Sequence, residues 1–247
     1  MSGHSKWATI KRKKAATDAK RGKLFTRCLK EVEVAAKSGG NPDSNPRLRS
    51  AISAAKSAGV PSDTIDRAVK RGSGEDQGTQ YEEITYEGYA PGGVAILVRT
   101  LTDNKNRTAA EVRHVFTKCN GNLASANAVA YLFKETGVLS IPKASVDEEK
   151  LYEVALDAGA KDINDDGEFW EVLVEPRQFQ AVRESIESIV KDVEGEIRLV
   201  PETHVRVSGH EAEQVLRMMD LLDDLDDVQS VTGNFEIDDK EMESFSK

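Results

Sequence analysis

The chain has 247 residues with a formal net charge of −9, and 38% of its residues are hydrophobic. This is enough apolar material for two or three domains, each with its own core. The longest purely apolar run, Val94–Val98, is far too short to cross a bilayer. Cys28 and Cys119 lie far apart and in no CxxC arrangement, so we expect buried thiols in a reducing, cytoplasmic location.

Charge is distributed unevenly along the chain. Residues 1–71 contain 17 Lys and Arg against 6 Asp and Glu, a net charge of +11, whereas residues 72–247 contain 17 against 37, a net charge of −20. A basic segment on an acidic protein indicates one module that faces a polyanionic partner. We therefore expect nucleic acid to bind the first segment, with protein partners possible on the acidic remainder. The alternative is a solvated basic tail.

The basic residues begin in the stretch Gly3–Arg27, which contains a single acid, Asp18. No apolar segment follows it, as a secretory signal would require. The indole of Trp7 can stack on a base or anchor the arm on the protein. Each cation that neutralises a phosphate releases counterions, which favours binding. We predict that nucleic acid is contacted by Lys6, Trp7, Lys11, Arg12, Lys13, Lys14, Lys20, Arg21, Lys23, Arg27 and Lys30.

Residues 1–72 are predicted to form a helical domain. Apolar residues recur at helical spacing over residues 18–37, and the opposite face carries a row of cations. We call that row the cationic ridge; it consists of Lys20, Lys23, Arg27 and Lys30. A second helix is expected from Asn45 as N-cap to Gly59, and a third from Ser62 or Asp63 to Gly72.

A helix-turn-helix reader is the alternative for the second and third helices. Asp63 and Asp66 begin the would-be reading helix, where they would face phosphates. We therefore favour a three-helix domain with a basic N-terminal arm. Residues 72–80 are interpreted as a linker, because their glycines do not have the spacing of a nucleotide-binding loop.

The rest of the chain alternates between strand and helix patterns. Before residue 135 and after residue 204 we predict strands over 83–87, 94–101, 128–133 and 228–237, with helices over 107–119 and 211–225. Between them lie strands over 138–141, 160–164, 169–174 and 196–200, with helices over 146–158 and 177–191. The inner series has the βαββαβ order of a ferredoxin-like domain. The predicted α+β fold therefore has a discontinuous middle domain (81–135 plus 205–238) and an inserted ferredoxin-like domain (136–204).

The sequence contains few signals of catalytic or metal-binding chemistry. The four histidines have no ligand spacing, and there is no Walker loop or Gly-x-Ser-x-Gly. We expect no enzyme activity, no cofactor and no metal site. The acidic residues that surround Leu225 are interpreted as a solvated rim, with a partner contact as the alternative; they are Asp223, Asp224, Asp226 and Asp227.

The stretch Thr102–Thr108 is a second candidate anion site. It lies at a strand-to-helix junction, where backbone N–H groups and positive side chains are presented together. If it contacts nucleic acid, Lys105 and Arg107 are the residues to test. The alternative is that Asp103, Asn104 or Asn106 merely caps the helix.

Three long motifs closely resemble the YebC/PmpR family over the full chain. They are GHSKWATIKRKKAATDAKRGKLFTR, YEGYAPGGVAILVRTLTDNKNRTAAEVRHVF and LDDLDDVQSVTGNFEI. The family includes the translational activator of mitochondrial cytochrome c oxidase. The resemblance implies three α+β domains, a helical N-terminal domain and no known catalytic activity. Departures occur over residues 122–127, where the family tends to place more glycine, and at Thr232–Gly233.

Two functions remain open from the sequence. The resemblance implies a non-enzymatic, DNA-binding transcriptional regulator. It also implies an alternative, because some members act on translation: a ribosome-associated factor that binds ribosomal RNA and eases translation of proline-rich stretches. Phosphate-directed Lys and Arg do not distinguish duplex DNA from RNA, and no base-reading helix or RNP aromatics are apparent.

Overall fold

The computed structural model describes residues 18–74, 80–191, 193–238 and 241–242, with side chains from residue 21 onward. The predictions made for Lys6, Trp7, Lys11, Arg12, Lys13 and Lys14 lie outside these residues, as does the side chain of Lys20. Within the described residues, no helix is long and apolar enough to cross a membrane.

Three helices form the N-terminal domain. They are α1 (Asp18–Ala36), α2 (Pro46–Ser57) and α3 (Ser62–Ser73). The Asn45 side chain accepts a hydrogen bond from the Leu48 backbone N–H and so caps α2, as predicted. Helix α3 packs closely on α1, since a Cβ added at Gly72 would overlap the Glu33 carbonyl oxygen. The three helices share a core of Val32, Ala35, Ala36, Leu48, Ala51, Ala55, Val60, Ile65 and Ala68.

The middle domain is built from segments on both sides of the insertion. Its elements are β1 (Glu82–Tyr89), β2 (Ala95–Thr102), α4 (Lys105–Lys118) and β3 (Asn122–Leu123), joined near the C-terminus by β8 (Val205–Arg206), α7 (Gly209–Asp223), β9 (Val228–Gly233) and β10 (Phe235–Glu236). The antiparallel sheet has the order β3-β1-β2-β9, and β8 pairs with β10 in parallel. Helices α4 and α7 share an apolar cluster with the sheet that includes Ile96, Val98, Val112, Phe116, Val215, Met218, Met219, Leu222 and Phe235.

The inserted segment has the predicted βαββαβ order. Its elements are β4 (Phe133–Pro142), α5 (Glu148–Asp157), β5 (Asp162–Asp166), β6 (Phe169–Val174), α6 (Phe179–Glu187) and β7 (Glu194–Pro201). The antiparallel sheet order β5-β6-β4-β7 places the first and third strands of the unit at its centre. The three-domain α+β fold is confirmed, whereas the proposed domain boundaries stay a prediction.

The predicted strand over 128–133 is wrong. Residues Ala130–Leu132 form a 3₁₀ turn, and strand β4 begins only at Phe133. The physical reason is the buried carboxylate of Glu87, which accepts hydrogen bonds from the backbone N–H groups of Asn127, Val129 and Ala130 at 2.6, 2.7 and 2.9 Å. Burial alone would raise the pKa of Glu87, but these backbone hydrogen bonds lower it.

The other corrections in this part of the chain are smaller. The predicted strand over 228–237 is divided into β9 and β10 at Asn234, whose side chain accepts a hydrogen bond from the Ala95 backbone N–H at 2.7 Å. Asn127 has φ 65°, so it occupies the left-handed conformation in the stretch where the family favours glycine. The two-residue strands β3 and β8 were not predicted.

An apolar cluster joins the middle and inserted domains. Ala95 and Leu97 of β2 pack with Val129, with Phe133 of β4 and with the partly buried Leu199 of β7. The Glu202 backbone N–H also donates to the Leu132 carbonyl oxygen at 2.9 Å. We call this contact the apolar junction.

Candidate nucleic-acid interface

Helix α1 places its cations and its apolar residues on opposite faces. Lys23, Arg27 and Lys30 follow one another at intervals of four and three residues, so they lie along one face. The other face packs into the helical core through Val32 and Ala36, which are fully buried. The predicted amphipathic division of this helix is therefore confirmed for its described side chains.

The cationic ridge contacts the turn between α7 and β9. We call this the acidic turn; its charged residues are Asp223, Asp224, Asp226 and Asp227. Lys23 Nζ donates to the Asp224 carbonyl oxygen at 2.6 Å. The Arg27 guanidinium donates both to the Asp223 carbonyl oxygen and to Asp223 Oδ1, the latter at 3.0 Å. The ridge therefore binds backbone and side-chain oxygens together.

Lys30 makes the most enclosed of these contacts. Its Nζ donates to the Asp226 carbonyl oxygen at 3.0 Å and to Asp227 Oδ1 at 2.9 Å, and it lies 5.5 Å from the centre of the Tyr81 ring. The side chains of Lys30 and Arg27 are only 11% and 16% exposed. These two predicted nucleic-acid contacts are thus covered by the protein's own carboxylates in this arrangement.

The same contacts complete the C-terminal end of α7. The last carbonyls of any helix lack partners within that helix, and acidic residues there oppose the helix dipole. Helix α7 ends at Asp223 and carries no basic residue in its last turn. Lys23 and Arg27 supply the missing donors and positive charge from another domain. The acidic turn is therefore only in part the solvated rim that was expected: Asp224 and Asp226 are 66% and 85% exposed, whereas Asp223 and Asp227 are largely buried.

Asp227 connects the ridge to the interior of the middle domain. Its Oδ2 accepts hydrogen bonds from Arg107 at 2.6 Å, Thr108 at 2.8 Å and Thr102 at 3.0 Å. Its side chain is 3% exposed. Burial alone would raise its pKa, but hydrogen bonds from Arg107, Lys30 and Thr108 lower the pKa to about 2. Asp227 is therefore a charged anchor at the boundary of two domains.

The second candidate anion site is occupied by the protein's own groups. Asn104 caps α4 by accepting from the Arg107 backbone N–H at 3.1 Å, so it is the one of the three predicted cap candidates that caps the helix. The Arg107 side chain is paired with Asp103 at 2.8 Å and with Asp227, and these hydrogen bonds raise its pKa. Lys105 pairs with Glu82 at 2.5 Å. A role for Lys105 and Arg107 in binding nucleic acid stays a prediction.

A cleft of 660 Å³ separates the ridge from the start of α4. Its charged lining consists of four cations and four acids, namely Lys23, Arg27, Lys30, Arg107, Asp103, Glu111, Asp226 and Asp227. Because these charges balance, the cleft in this form has no positive excess that would attract a phosphate. Arg21, by contrast, is exposed on α1 and makes no ion pair within the described residues.

A second polar contact joins the helical and middle domains on another side. Arg47 of α2 bridges Glu31 of α1, at 2.9 Å, and Glu83 of β1, at 3.0 Å. Arg99 of β2 also pairs with Glu83, at 2.7 Å. Among the described residues, the apolar cluster of the helical domain contains only side chains of that domain. We call the whole set of contacts between the helical and middle domains the ionic junction.

The sequence indicated these pairings only indirectly. Acids at the end of α7, where cations are favoured, were the available signal for a contact from elsewhere. Within the described residues, no group of three or more His, Cys, Asp or Glu side chains could hold a metal ion.

Comparison with known proteins supplies the family. Residues 5–75 match the N-terminal domain of TACO1/YebC proteins, and residues 81–235 match the second and third domains. The chain belongs to the TACO1/YebC family. The resemblance found in the three sequence motifs is thereby confirmed.

Relatives of this TACO1/YebC protein match it over nearly its whole length. A "probable transcriptional regulatory protein" of Geobacter sulfurreducens is 53% identical, covering 98% of this chain and 99% of the relative. One of the same name in Acidobacterium capsulatum is 48% identical, covering 98% of each chain. The crystal structure of a conserved hypothetical protein from Aquifex aeolicus is 44% identical with a TM-score of 0.80, covering 90% of this chain and 93% of that one.

Proposed function

We propose that this chain is a non-enzymatic, nucleic-acid-binding regulatory protein that acts on transcription by binding duplex DNA through its N-terminal domain. The observation that carries the proposal is the separation of charge, +11 over residues 1–71 against −20 over residues 72–247. The name "probable transcriptional regulatory protein" carried by its relatives supports a regulatory role.

The chemistry of the binding residues suits phosphates rather than bases. Lys and Arg side chains contact the backbone of any sequence, and such contacts position a protein without reading bases. The arm contributes Lys11, Arg12, Lys13 and Lys14 in one run. The acidic middle and inserted domains repel the same polymer, so they keep the contact local and leave their surfaces to protein partners.

Binding should respond steeply to salt and should depend on the arm. If about six phosphates are contacted, affinity for duplex DNA falls roughly a thousandfold between about 50 and 200 mM salt. Replacing Lys11, Arg12, Lys13 and Lys14 with Ala reduces the slope of log K against log salt by about 0.9 for each phosphate that is no longer bound. Fluorescence anisotropy with labelled duplex DNA measures both quantities.

A matched control removes four positive charges elsewhere. Lys118, Lys150, Lys191 and Arg217 are exposed and lie outside the helical domain, so their replacement with Ala leaves the salt slope unchanged. Binding without salt dependence, or an arm variant that binds as the wild type does, contradicts the proposal.

The alternative function is a ribosome-associated translation factor whose basic domain binds ribosomal RNA. The same anisotropy experiment with a structured ribosomal RNA fragment, together with co-sedimentation with ribosomes near physiological salt, separates the two. Clear preference for the RNA fragment, with arm-dependent co-sedimentation, would replace the DNA proposal with the translational one.

A further inference from the structure

The ionic junction brings together groups that nucleic acid would also bind. Lys23, Arg27 and Lys30 are predicted phosphate contacts, yet each donates to oxygen atoms of the acidic turn. A carboxylate and a phosphate both accept charge-assisted hydrogen bonds from Lys and Arg. The acidic turn therefore occupies the ridge in the way a nucleic-acid backbone would occupy it.

We propose that the acidic turn is an intramolecular competitor of nucleic acid, which holds the helical domain closed on the middle domain until phosphates displace it from the cationic ridge. This inference rests on the proposed function, because it concerns regulation of the same binding site. In the closed form the ridge is covered, whereas exposed cations such as Arg21 are open to phosphates. In the open form the ridge joins them.

The composition of the ionic junction permits the helical domain to separate from the middle domain. The apolar cluster of the helical domain is confined to α1, α2, α3 and the turns between them within the described residues. Separation of the domains therefore exposes charged and polar groups, which water and counterions solvate, and not a shared apolar core. High salt weakens the closing contacts because they include exposed pairs, such as Lys23 with Asp224 and Asp226, both at 3.8 Å.

Closure and nucleic-acid binding are coupled reciprocally. If only the open form uses the ridge, the apparent affinity is reduced by the fraction of molecules that are open. The factor by which closure lowers the affinity is also the factor by which bound nucleic acid favours the open form. Weaker contacts between the acidic turn and the ridge therefore produce tighter binding of nucleic acid, although no residue of the turn belongs to the nucleic-acid-binding site.

The test neutralises the acidic turn without changing its shape. The variant Asp223→Asn, Asp224→Asn, Asp226→Asn retains a side-chain oxygen at each position but removes three negative charges. Asp227 is left intact, because Arg107, Thr102 and Thr108 also depend on it. The matched control is Glu149→Gln, Glu153→Gln, Asp157→Asn, which removes three exposed acids from α5 in the inserted domain.

The expected result is a gain in affinity for duplex DNA of about 5-fold or more in the acidic-turn variant, within the usual range of coupling between sites. Its salt slope steepens by up to about 0.9 for each ridge cation that binds an additional phosphate. The control variant shows the smaller gain that a lower net negative charge produces everywhere on the surface. An acidic-turn variant that binds no more tightly than this control overturns the inference.

A measurement without nucleic acid separates the possible failures. Small-angle scattering should show a larger radius of gyration for the acidic-turn variant than for the wild type at low salt, and equal values at high salt. Equal radii at low salt overturn the closure. If the wild type binds DNA but the acidic-turn variant binds it no more tightly than the control does, the inference of competition fails while the proposed function stands. If neither protein binds DNA or RNA at any salt concentration, the proposed function fails, and competition fails with it.

Discussion

The two domain junctions of this molecule differ in chemistry: the apolar junction consists of hydrophobic side chains, and the ionic junction consists of charged ones. Phe133, Val129 and Leu97 join the inserted domain to the middle domain through buried apolar side chains. The helical domain meets the same middle domain through ion pairs and through Lys and Arg hydrogen bonds to backbone carbonyls. The first contact consists of buried apolar side chains, whereas the second consists of charged side chains and the oxygen atoms that they bind.

The apolar and the ionic contact predict different behaviour for the two pairs of domains. Apolar burial involves no charged partner that a polyanion could replace, so the middle and inserted domains should behave as one unit. The exposed pairs of Lys23 contribute little and are screened by salt. The enclosed contacts of Arg27 and Lys30 are charge-assisted hydrogen bonds, which a phosphate can also accept, so a competing polyanion could replace them. The position of the basic segment on the replaceable side is consistent with its proposed role.

The largest expected effect lies at the apolar junction. Phe133→Ala should lower the free energy of unfolding by about 3–4 kcal/mol, because it opens a cavity where the ring is now 6% exposed. Urea denaturation followed by circular dichroism, at low and at high salt, measures the change and should give the same loss of stability under both conditions.

Tyr131 provides the matched control for this junction. Tyr131 lies two residues before Phe133 and is 71% exposed, so Tyr131→Ala should change the free energy of unfolding by no more than about 0.5 kcal/mol. A loss of stability for Phe133→Ala that is as small as this, or that depends strongly on salt, would show that apolar burial does not hold the two domains together.

A smaller effect is expected where the ionic junction reaches the middle domain. Asp227→Asn should cost about 2 kcal/mol of unfolding free energy at neutral pH, because the pKa of Asp227 is lowered from 3.8 to about 2 in the folded protein. The charged form adds stability above about pH 4, and that stability is lost as the pH falls through about 2. The difference between wild type and variant should therefore shrink over this interval in urea titrations.

Asp224→Asn is the control in the same turn. Among the described residues its exposed side chain pairs only with Lys23, at 3.8 Å, so the variant should resemble the wild type within about 0.5 kcal/mol at every pH. A pH-independent loss of stability for Asp227→Asn would assign the effect to altered hydrogen-bond geometry and not to charge.

Much of the fold was predictable because its signals are local. Asn45 with Pro46 marks the start of α2, and alternating strand and helix patterns give the order of the inserted domain. The failure over 128–133 has a long-range cause: an apolar stretch suited to a strand is instead held by the carboxylate of Glu87, some 40 residues earlier.

The candidate site was predictable in composition but not in pairing. Helical periodicity correctly placed Lys23, Arg27 and Lys30 on one face of α1. Nothing in the sequence pairs Lys30 with Asp227, which is 197 residues away, because ion pairs leave no periodic pattern. The acidic turn could be recognised as unusual at a helix end, yet its partner could come from any domain or from another molecule.

The smallest expected effect tests whether the ionic junction is held by charge. Arg27→Gln removes the cation that contacts Asp223 but retains a side-chain N–H that can still donate to it, so it should cost about 1 kcal/mol, the typical net contribution of one hydrogen bond. Hydrogen exchange measured by mass spectrometry should show faster exchange in the acidic turn and in α1 at low salt. At about 1 M salt, where the Debye length is about 3 Å, wild type and variant should exchange alike.

Arg21→Gln on the same helix is the control, because Arg21 has no ion-pair partner among the described residues, and it should leave exchange unchanged. If Arg27→Gln speeds exchange equally at both salt concentrations, packing of the guanidinium and not its charge holds the junction, and the contrast with the apolar junction loses its basis.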